Sequence, residues 1–416
     1  MFIYFFISLD PRRYFAESVA KMQEGTASVE KLEISGRRTS SSHVFKETIA
    51  RLSSRKDLKK GSRQIGEYVH EVVFVIRQKN MDELTRVLLE VSDPRSASYG
   101  QHLKREEVIK MTSNPEARSA VVNYLESNHA SIISETQGSE YITASAPIFV
   151  WEKVFNTEFF QFEEASASEI IVRAESYSVP QELNSHIESV FNIIDIPCRS
   201  CSHSYTSVVG FGDTAGEPKL VSGYITPALL NRYYNMGSSA GSAQSTQAFY
   251  DTGSQYFSPA DLLRFEKYFY LPNNTVLTSI GGRSSDSPDK KYYEGNLDAQ
   301  YITSTSPNSP TTGWYTSGRF SSWLVQVGNT STPPLVLSIS YGQDEEYVDN
   351  GIHSAFNTEA IKLGAMGVTI VAASGNDGVS NRAARGGSLG QCSYAPDFPA
   401  SSPFVTAVGA TSVRVK

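Results

Sequence analysis

Three apolar segments near the carboxyl end of the chain constrain its fold more than any other feature. Leu335–Ile339 and Val368–Ala373 are continuous apolar runs of strand length, and a helix is predicted between them over Ile352–Leu363. A strand, a helix and a strand within about forty residues predict a βαβ unit, whose two strands are parallel and buried on both faces. Phe404–Val408 is predicted as a third buried strand. Together these segments predict an α/β fold built on a parallel sheet.

A different pattern of elements precedes this unit. Strands are predicted over Val69–Ile76, Ser139–Ala144 and Glu158–Phe162, and a short helix is predicted to open at Pro147. Apolar residues at helical spacing within 81–88 and 121–125 predict two further helices. Strands and helices that alternate over about a hundred residues indicate a small α+β sandwich.

Composition suggests four regions along the chain. Residues 1–65 are basic and Ser-rich without periodicity, which predicts a flexible leader that opens with a weak apolar signal segment. The α+β sandwich is predicted over 66–197. A Gly- and Ser-rich linker that a protease could cut is predicted over 198–223, and the parallel-sheet domain over 224–416.

The overall charge and the cysteines narrow the class of protein. The 416 residues carry a formal net charge of -7, which gives no support to binding of nucleic acid or of a membrane surface. No later apolar run approaches the ~20 residues that span a bilayer. Cys198 and Cys201 form a single CxxC pair and Cys392 is left over. A local disulfide or unremarkable thiols are therefore favoured over a metal site.

Glu294 and Asp298 are the first candidate site residues. They are four residues apart, so on a helix both carboxyl groups share one face. Like charges at this spacing cost an isolated helix roughly 0.2–0.5 kcal/mol. A use that would justify the cost is proton transfer, in which a neighbour tunes the pKa of a carboxylate that acts as base. A solvated helix face is the alternative explanation of the pair.

Two polar segments directly follow predicted strands of the parallel sheet. They are Ser340-Tyr341-Gly342 and Ser374-Gly375-Asn376-Asp377-Gly378. In open parallel sheets the active site lies beyond the carboxyl ends of the strands. The sequence therefore predicts that these segments lie at the active site.

Four segments occur in the order in which they are found in the sedolisin, or serine-carboxyl peptidase, family. They are the segment with Glu294 and Asp298, Ser338–Glu345, Ala373–Gly378 and Phe398–Ser412. The chain resembles this family from about Gly66 onwards, since Ser92–Val108 is similar to its propeptide and Ile225–Tyr234 to the opening of its mature domain. The resemblance implies a subtilisin-like parallel sheet with flanking helices, preceded by an α+β ferredoxin-like prodomain.

The resemblance also implies roles for particular residues. Glu294 would be the general base and Asp298 the hydrogen-bonded group that orients it. Asn376 would be the oxyanion donor at a position where the family usually has a protonated Asp. Because an amide donates at any pH, an acidic optimum is less certain for this chain. Ser340, Tyr341 and Gly342 would bind the substrate backbone.

The nucleophile is not assigned to any residue of the chain. Ser412, in Gly409-Ala410-Thr411-Ser412, matches a strand of the family and not its Gly-Thr-Ser-x-Ser-x-Pro nucleophile motif. The resemblance therefore implies a catalytic domain that is C-terminally truncated, with the nucleophile and the family calcium site beyond Lys416, and a chain that is inactive as given. No cofactor or metal is expected within it.

The resemblance further implies a serine-type peptidase made as a proenzyme, whether tripeptidyl-peptidase or endopeptidase. Peptides or proteins would be its substrates, and the prodomain would bind its own catalytic domain. With the weak signal segment and two sequons, at Asn273 and Asn329, a lysosomal or secreted location is expected. A non-enzyme remains an alternative, namely an inactive homologue whose prodomain inhibits or chaperones intact relatives. A subtilisin-type enzyme with a histidine base is disfavoured, because no Asp-x-Gly and His-Gly pair of motifs occurs.

Overall fold

A computed structural model describes the chain over residues 42–49, 58–164, 170–196, 225–236, 241–252, 255–272, 277–281, 293–316, 320–380 and 394–411. These are called the described ranges below. The three cysteines, Ser412, the sequon at Asn273 and the predicted linker lie outside them.

The N-terminal unit, residues 42–196 within the described ranges, is an α+β fold. Its strands are β1 (His43–Thr48), β2 (Leu58–Arg63), β3 (Val69–Ile76), β4 (Ser131–Glu135), β5 (Tyr141–Pro147), β6 (Phe159–Glu164), β7 (Ile170–Ala174), β8 (Ser176–Pro180) and β9 (Ile187–Phe191). Its helices are α1 (Met81–Ser92), α2 (Arg105–Thr112), α3 (Pro115–Ser127) and α4 (Ile148–Phe155). An antiparallel sheet of order β4-β5-β3-β9, with helices between β3 and β4 and between β5 and β9, has the ferredoxin-like arrangement that the resemblance implies.

Strand β3 belongs to two cores at once. Side chains alternate across a strand, so Val72, Phe74 and Ile76 face the core of the N-terminal unit. Val73 and Val75 face a second core, which contains residues of the parallel sheet. This explains why the sequence of β3 is apolar almost throughout and does not alternate with polar residues.

The range predicted as a flexible leader is different in the structure. Strand β1 pairs with β8, and strand β2 pairs with β6, and both lie before residue 66. The sequence of β2, Leu58-Lys59-Lys60-Gly61-Ser62-Arg63, gives no apolar alternation, because every residue of the strand after Leu58 is exposed. An edge strand without a buried face has no periodic signature, and the prediction of a structureless leader was wrong for these two segments.

The sheet unit, residues 225–411 within the described ranges, is a parallel α/β fold. Its strands are β10 (Gln247–Thr252), β11 (Leu277–Ile280), β12 (Thr311–Thr316), β13 (Val336–Ile339), β14 (Gln343–Asp344), β15 (Thr369–Ala373), β16 (Asp397–Phe398) and β17 (Thr406–Val408). Its helices are α5 (Pro227–Tyr233), α6 (Pro259–Tyr268), α7 (Tyr293–Thr305), α8 (Phe320–Asn329) and α9 (Asn350–Ala365). Six of the strands form a parallel sheet of order β11-β12-β10-β13-β15-β17, with α9 between β13 and β15 as predicted.

The order of the strands places a crevice between β10 and β13. After β10 the chain crosses to β11 on one side of the sheet, whereas after β13 it crosses to β15 on the other side. Two neighbouring strands whose connections leave in opposite directions form a topological switch point. The carboxyl ends of β10 and β13 are therefore the place where this fold binds ligands.

Helix α9 carries the contact between the two units. At its amino end, the Glu47 carboxylate accepts hydrogen bonds from the backbone N–H groups of Asn350 and Gly351. At its carboxyl end, the backbone N–H of Leu103 donates to the Ala365 carbonyl at 2.9 Å. A carboxylate at a helix amino terminus satisfies free N–H groups and interacts favourably with the positive end of the helix dipole. The N-terminal unit thus caps α9 at both ends.

A buried ionic cluster lies in the middle of the same contact. The Lys362 ammonium of α9 donates to Glu140 at 2.7 Å and to Glu359 at 3.0 Å. The Tyr141 hydroxyl donates to Glu359 at 3.1 Å, and the Thr136 hydroxyl donates to Glu140 at 2.7 Å. Glu140, Glu359 and Lys362 are all at most 3% exposed. Two carboxyl groups therefore share one cation in a site that excludes water.

The two carboxyl groups of this cluster respond oppositely to burial. For Glu140, the effect of burial is outweighed by Lys362 and by the hydrogen bonds it accepts, so its pKa lies below the ordinary value. For Glu359, burial prevails over the attraction of Lys362, and the pKa is raised. Burial alone would lower the pKa of Lys362, but Glu359 and Glu140 raise it. The ionic cluster holds Lys362 charged at neutral pH.

Replacing the shared cation should destabilise the chain strongly at neutral pH. In Lys362→Met, Glu140 and Glu359 lose their buried partner, and breaking such a pair costs about 3–5 kcal/mol in the free energy of unfolding. Because the folded pKa of Glu140 is lowered, its stabilising contribution is present at neutral pH and lost as the pH falls through that pKa. The deficit of the variant should therefore shrink below about pH 4 and be smaller at about pH 3 than at about pH 7.

Urea denaturation of the full chain at both pH values measures this difference. The exposed Lys153→Met is the matched control and should change the free energy of unfolding by less than about 0.5 kcal/mol. An equal and small loss for both variants would contradict the account of the ionic cluster.

Candidate active site

Helix α7 places Glu294 and Asp298 in its first turns. Both side chains turn inwards, since Glu294 is 3% exposed and the Oδ2 atom of Asp298 is buried. The backbone N–H of Glu294 donates to the Gln255 side chain at 3.2 Å, which fixes the start of the helix. The solvated helix face that was the alternative explanation of this pair is therefore wrong.

A glycine allows α7 to approach the end of β10 closely. A Cβ atom on Gly295 would collide with the carbonyl oxygen of Tyr256 and lie 3.1 Å from Oδ2 of Asp251. Asn296 fixes the same turn, because its side-chain oxygen accepts from the Ser258 N–H at 2.7 Å. Gly295 therefore lets the helix bring its carboxyl groups to the carboxyl end of β10.

Two residues at the end of β13 contact the carboxyl groups. The Ser340 hydroxyl donates to Oδ1 of Asp298 at 2.9 Å. The Tyr341 hydroxyl donates to Oδ1 of Asp251 at 3.2 Å. Ser340 and Tyr341, predicted as substrate-binding residues, thus bind carboxyl side chains through their hydroxyl groups. The backbone of both residues directly continues β13, at the crevice between β10 and β13.

Asp251 is a third buried carboxyl residue that the sequence analysis missed. It belongs to β10 and is 2% exposed. It lies at the topological switch point, and the charge of Asp298 is close enough to raise the pKa of Asp251. The one local signal is an aspartate that directly follows three apolar residues, Ala248-Phe249-Tyr250, a run too short to predict a strand by itself. We call Asp251, Glu294 and Asp298 the carboxyl cluster.

The carboxyl cluster has no cation in the described ranges. Burial raises the pKa of Glu294 well above its ordinary value, and the neighbouring Asp298 raises it further. Burial raises the pKa of Asp298, and the hydrogen bond from Ser340 opposes the shift. Burial and then Asp298 raise the pKa of Asp251, against the hydrogen bond from Tyr341. Carboxyl groups that share a site cannot all ionise together, so the cluster retains a proton where isolated carboxyl groups are charged.

One oxygen on each residue of the predicted pair has no hydrogen-bond partner in the described ranges. These atoms are Oε2 of Glu294 and Oδ2 of Asp298. The hydrogen bond between the two carboxyl groups that the resemblance implies is not formed in this geometry. Both oxygens are available to a shared proton or to a hydroxyl group of a reacting molecule.

The other predicted site residues lie at the same edge of the sheet. Asn376 follows β15, the neighbour of β13, and is half-buried in the loop after that strand. Gly342 packs tightly on β16, where an added Cβ would lie 2.8 Å from the carbonyl oxygen of Phe398. The structure therefore brings together Glu294, Asp298, Ser340 and Tyr341, and it has Asn376 on the loop after the adjacent strand.

The described ranges hold neither a cluster of metal-ligating side chains nor a helix that could cross a membrane. No group of three or more His, Cys, Asp or Glu side chains in the described part of the chain is arranged to hold a metal ion. None of the helices described is both long and apolar enough to cross a bilayer.

Comparisons with known proteins agree with this architecture. Residues 57–196 match the family model "Pro-kumamolisin, activation domain". Tripeptidyl-peptidase 1 of Dictyostelium discoideum is 30% identical over 378 residues, which cover 82% of this chain and 61% of that protein. Tripeptidyl-peptidase 1 of Rattus norvegicus is 28% identical over 358 residues, which cover 82% of this chain and 62% of that protein. The chain thus spans about three fifths of the length of these relatives.

Solved structures are similar as well, among them one from Pseudomonas. It is Pseudomonas sedolisin, a serine-carboxyl proteinase, in complex with two molecules of pseudo-iodotyrostatin. The match has a TM-score of 0.37 and 22% sequence identity, and it covers 46% of this chain and 55% of the sedolisin chain.

The chain therefore combines an activation domain with a parallel α/β sheet unit that follows it. With this arrangement, the chain is similar to the tripeptidyl-peptidases 1 of Dictyostelium discoideum and Rattus norvegicus.

Removing one carboxyl group from the cluster should stabilise the chain at alkaline pH. Because the folded pKa of Asp298 is raised, stability falls as the pH rises through that pKa. The amide introduced by Asp298→Asn does not ionise, and its oxygen can keep the hydrogen bond from Ser340. We expect this variant to raise the free energy of unfolding by about 1–3 kcal/mol at about pH 8 and to change it little at about pH 4.

Urea denaturation at the two pH values tests this expectation. The exposed Asp82→Asn on α1 is the control for the same chemical change. A loss of stability at both pH values in Asp298→Asn would mean that the Asp298 carboxylate is stabilised by a partner that the structure does not place beside it.

Proposed function

We propose that the chain is the precursor form of a serine-type peptidase of the sedolisin class, in which the carboxyl cluster performs proton transfer. The observation that carries this proposal is the burial of Glu294 beside Asp298 with one free oxygen on each. A structural ion pair would have a cation, and a solvated pair would be exposed. A buried carboxyl pair with raised pKa values is typical of acid–base sites.

In the proposed reaction, Glu294 is the general base. Its free Oε2 accepts the proton of a serine hydroxyl as that oxygen forms a bond to the scissile carbonyl carbon. When the C–N bond breaks, Glu294 returns the proton to the leaving amine. Because burial and then Asp298 raise the pKa of Glu294, the ionised form that a base needs becomes populated as the pH rises through that raised pKa. No serine of the described ranges is hydrogen-bonded to Glu294, so the proposal assigns the nucleophile to none of them.

Asp298 orients the base in this proposal. Its Oδ1 is held by Ser340, which leaves Oδ2 to carry a proton toward the Glu294 carboxylate. A proton held by Asp298 relieves the repulsion between the two groups and leaves Glu294 in the ionised form that a base needs. Asp251, the third carboxyl group of the cluster, is held by the Tyr341 hydroxyl, which donates to it at 3.2 Å.

Asn376 completes the proposed site as the oxyanion donor. Its loop follows β15 at the edge where the carboxyl cluster lies, and its amide carries two donors at every pH. Such a donor stabilises the negative charge that develops on the carbonyl oxygen. Ser340, Tyr341 and Gly342 follow β13 as the strand end at which an extended peptide backbone would bind.

The proposed precursor works on peptides or proteins, as an exopeptidase that releases tripeptides or as an endopeptidase. We assign its location to the lysosome or the secretory route. The N-terminal unit acts as the prodomain, and its contact with α9 keeps the two units together until the region between 197 and 224 is cut.

A second candidate function is that of an inhibitor or chaperone of related peptidases. The observation that favours it is that the N-terminal unit has a core of its own and binds α9 through defined contacts. A unit that recognises one sheet domain could recognise that of a relative.

Glu294 is the residue whose replacement tests the proposal. Peptide hydrolysis is measured on the form of the chain that its own transcript encodes, between acid and neutral pH, after processing. We expect Glu294→Gln to lower kcat by about 10²–10⁴, because the amide cannot accept the proton. Glu163→Gln, the same change at an exposed position of the N-terminal unit, should leave kcat unchanged.

Three outcomes of this assay differ. An active Glu294→Gln would exclude Glu294 as the base. A processed parent without activity would remove the proposal of an enzyme. If that parent instead inhibits an active tripeptidyl-peptidase 1, the second candidate function is the correct one.

Asn376 provides a prediction about pH. In Asn376→Asp the new carboxyl group can donate a hydrogen bond only while it is protonated. We expect the variant to keep activity in acid and to lose about 10²–10³ in kcat as the pH rises through the pKa of that carboxyl group. The parent should show no such loss, because the amide of Asn376 donates at every pH. A parallel decline of both proteins with pH would exclude Asn376 as the oxyanion donor.

A further inference from the structure

Asn296 lies on α7 between Glu294 and Asp298, but on the other side of the helix. With 3.6 residues per turn, Asn296 is rotated by about 200° from Glu294, whereas Asp298 is rotated by only about 40°. The Asn296 side chain is half-buried, and its hydrogen bonds are made to the start of α6. Any part that Asn296 plays in the reaction must therefore act through the position of the helix.

The Asn296 amide uses both of its polar atoms at the amino end of α6. Its oxygen accepts from the Ser258 N–H at 2.7 Å, and its nitrogen donates to Oδ2 of Asp261 at 3.0 Å. Ser258 is the N-cap of α6, and its hydroxyl accepts from the Asp261 N–H at 3.1 Å. The contact needs an acceptor and a donor on separate atoms, which an amide supplies and a carboxylate does not.

This contact takes the place of part of a capping box. In a capping box, the side chain of the third helical residue, Glu or Gln, binds the N–H of the N-cap residue. Asp261 is the third residue of α6, and the Asn296 amide is bonded both to its carboxylate and to the Ser258 N–H. The cap of α6 is thus completed by a residue of α7, which ties the first turns of the two helices together.

The segment that leads into α6 is itself fixed to β10. The backbone N–H of Gln255 donates to the Thr252 carbonyl at 3.2 Å. The Phe257 ring packs edge-on against the Phe249 ring of β10 with 5.7 Å between the centroids, and both side chains are buried. Through this segment, Asn296 connects the first turn of α7 to the strand that carries the third carboxyl group of the cluster.

Later turns of α7 are held by apolar packing. Ala299 is buried in a small core with Phe249 and Phe257, and the centroid of the Tyr301 ring lies 5.4 Å from that of Phe265 on α6. These contacts do not involve Asn296, so they would keep the body of the helix in place without it. Loss of the Asn296 amide would loosen chiefly the first turn, which contains the proposed base.

We propose that Asn296 is a positioning residue of the peptidase site, which holds Glu294 in place by tying the first turn of α7 to the start of α6. The inference rests on the proposed function, in which Glu294 is the general base. A displacement of about 1 Å at a reacting group costs a factor of about 10² in rate. A loosened turn would also admit water to Glu294, whose pKa is raised first of all by burial.

Infrared difference spectroscopy of the full 416-residue chain measures the pH midpoint at which the protonated carboxyl band of Glu294 disappears. The band is assigned by its loss in Glu294→Gln. We expect the midpoint to fall by about 1 pH unit in Asn296→Ala, because water reaches the carboxyl group. This variant leaves unchanged Asp298 and Tyr341, the titratable groups whose charges interact with that of Glu294.

Asn114→Ala is the matched control, because Asn114 also uses both amide atoms at the start of a helix. Its nitrogen donates to the Arg77 carbonyl at 2.9 Å, and its oxygen accepts from the Ala117 N–H at 3.3 Å. That helix belongs to the N-terminal unit, so this variant should lose stability and keep the midpoint of Glu294. A merely structural role of Asn296 would likewise leave the midpoint unchanged.

Exchanging the two side chains across the contact provides a rescue experiment. In Asn296→Asp, the new carboxylate faces that of Asp261 and the two repel each other. In the double variant Asn296→Asp/Asp261→Asn, the new amide donates to the new carboxylate and the hydrogen bond forms in the opposite direction. For the processed form that the transcript encodes, we expect Asn296→Asp to lower kcat by about 10–10² with little change in KM. The double variant should regain most of this loss.

Two results would overturn the positioning role. One is a parental midpoint in Asn296→Ala, and the other is a double variant as slow as Asn296→Asp. If Asn296→Ala does not fold, the exchange decides, since it keeps polar side chains of the same size. A lowered midpoint in a chain whose processed parent is inactive would contradict the proposed enzyme alone. An active parent whose Asn296→Ala variant keeps midpoint and kcat would contradict the positioning role alone.

Discussion

Asp251 and Glu294 are buried at the carboxyl edge of the parallel sheet beside the half-buried Asp298, and no cation from the described ranges lies next to them. Burying a charge is costly unless it is paired, and carboxyl groups so placed respond by holding protons more tightly. The arrangement requires Gly295 on the helix and hydroxyl donors on the end of β13. The site therefore depends on a cost in stability that the rest of the fold must offset.

The contact between the two units also buries carboxyl groups, but there a cation lies between them. In the ionic cluster, Lys362 lies between Glu140 and Glu359 and balances one of their two charges. The same α9 helix leads into β15 and so toward the loop of Asn376. The N-terminal unit thus contacts α9, which is followed by β15 and then by the loop that contains the proposed oxyanion donor. Stability of the contact and geometry of the site are connected through one helix.

Local patterns in the sequence predicted the elements whose apolar residues repeat. The structure has β3 over the predicted Val69–Ile76, a helix that opens after Pro147, and the βαβ unit around α9. Elements without such patterns were not predicted, among them β1, β2, β10, β11 and β12. Strand β2 has no buried face, and short parallel strands such as β11 are specified by their neighbours in the sheet more than by their own residues.

The candidate site was predicted only where one segment contains the signal. Glu294 and Asp298 are four residues apart on one helix, so their common face follows from the sequence. Asp251 is on another element, and its place beside them depends on how β10, β12 and β13 are ordered in the sheet. The same holds for Glu140 and Lys362, which are 222 residues apart in the chain. Contacts of this kind follow from tertiary packing, which no local pattern specifies.

The central claim is that the carboxyl cluster keeps a proton when ordinary carboxyl groups are ionised. Infrared difference spectroscopy across a pH titration detects the C=O stretch of a protonated carboxyl group directly. The account predicts that this band persists above about pH 6, well past the ordinary pKa of about 4 for Asp and Glu, and that it weakens in Asp251→Asn and in Asp298→Asn. Complete ionisation of every carboxyl group of the parent by about pH 5 would contradict the account.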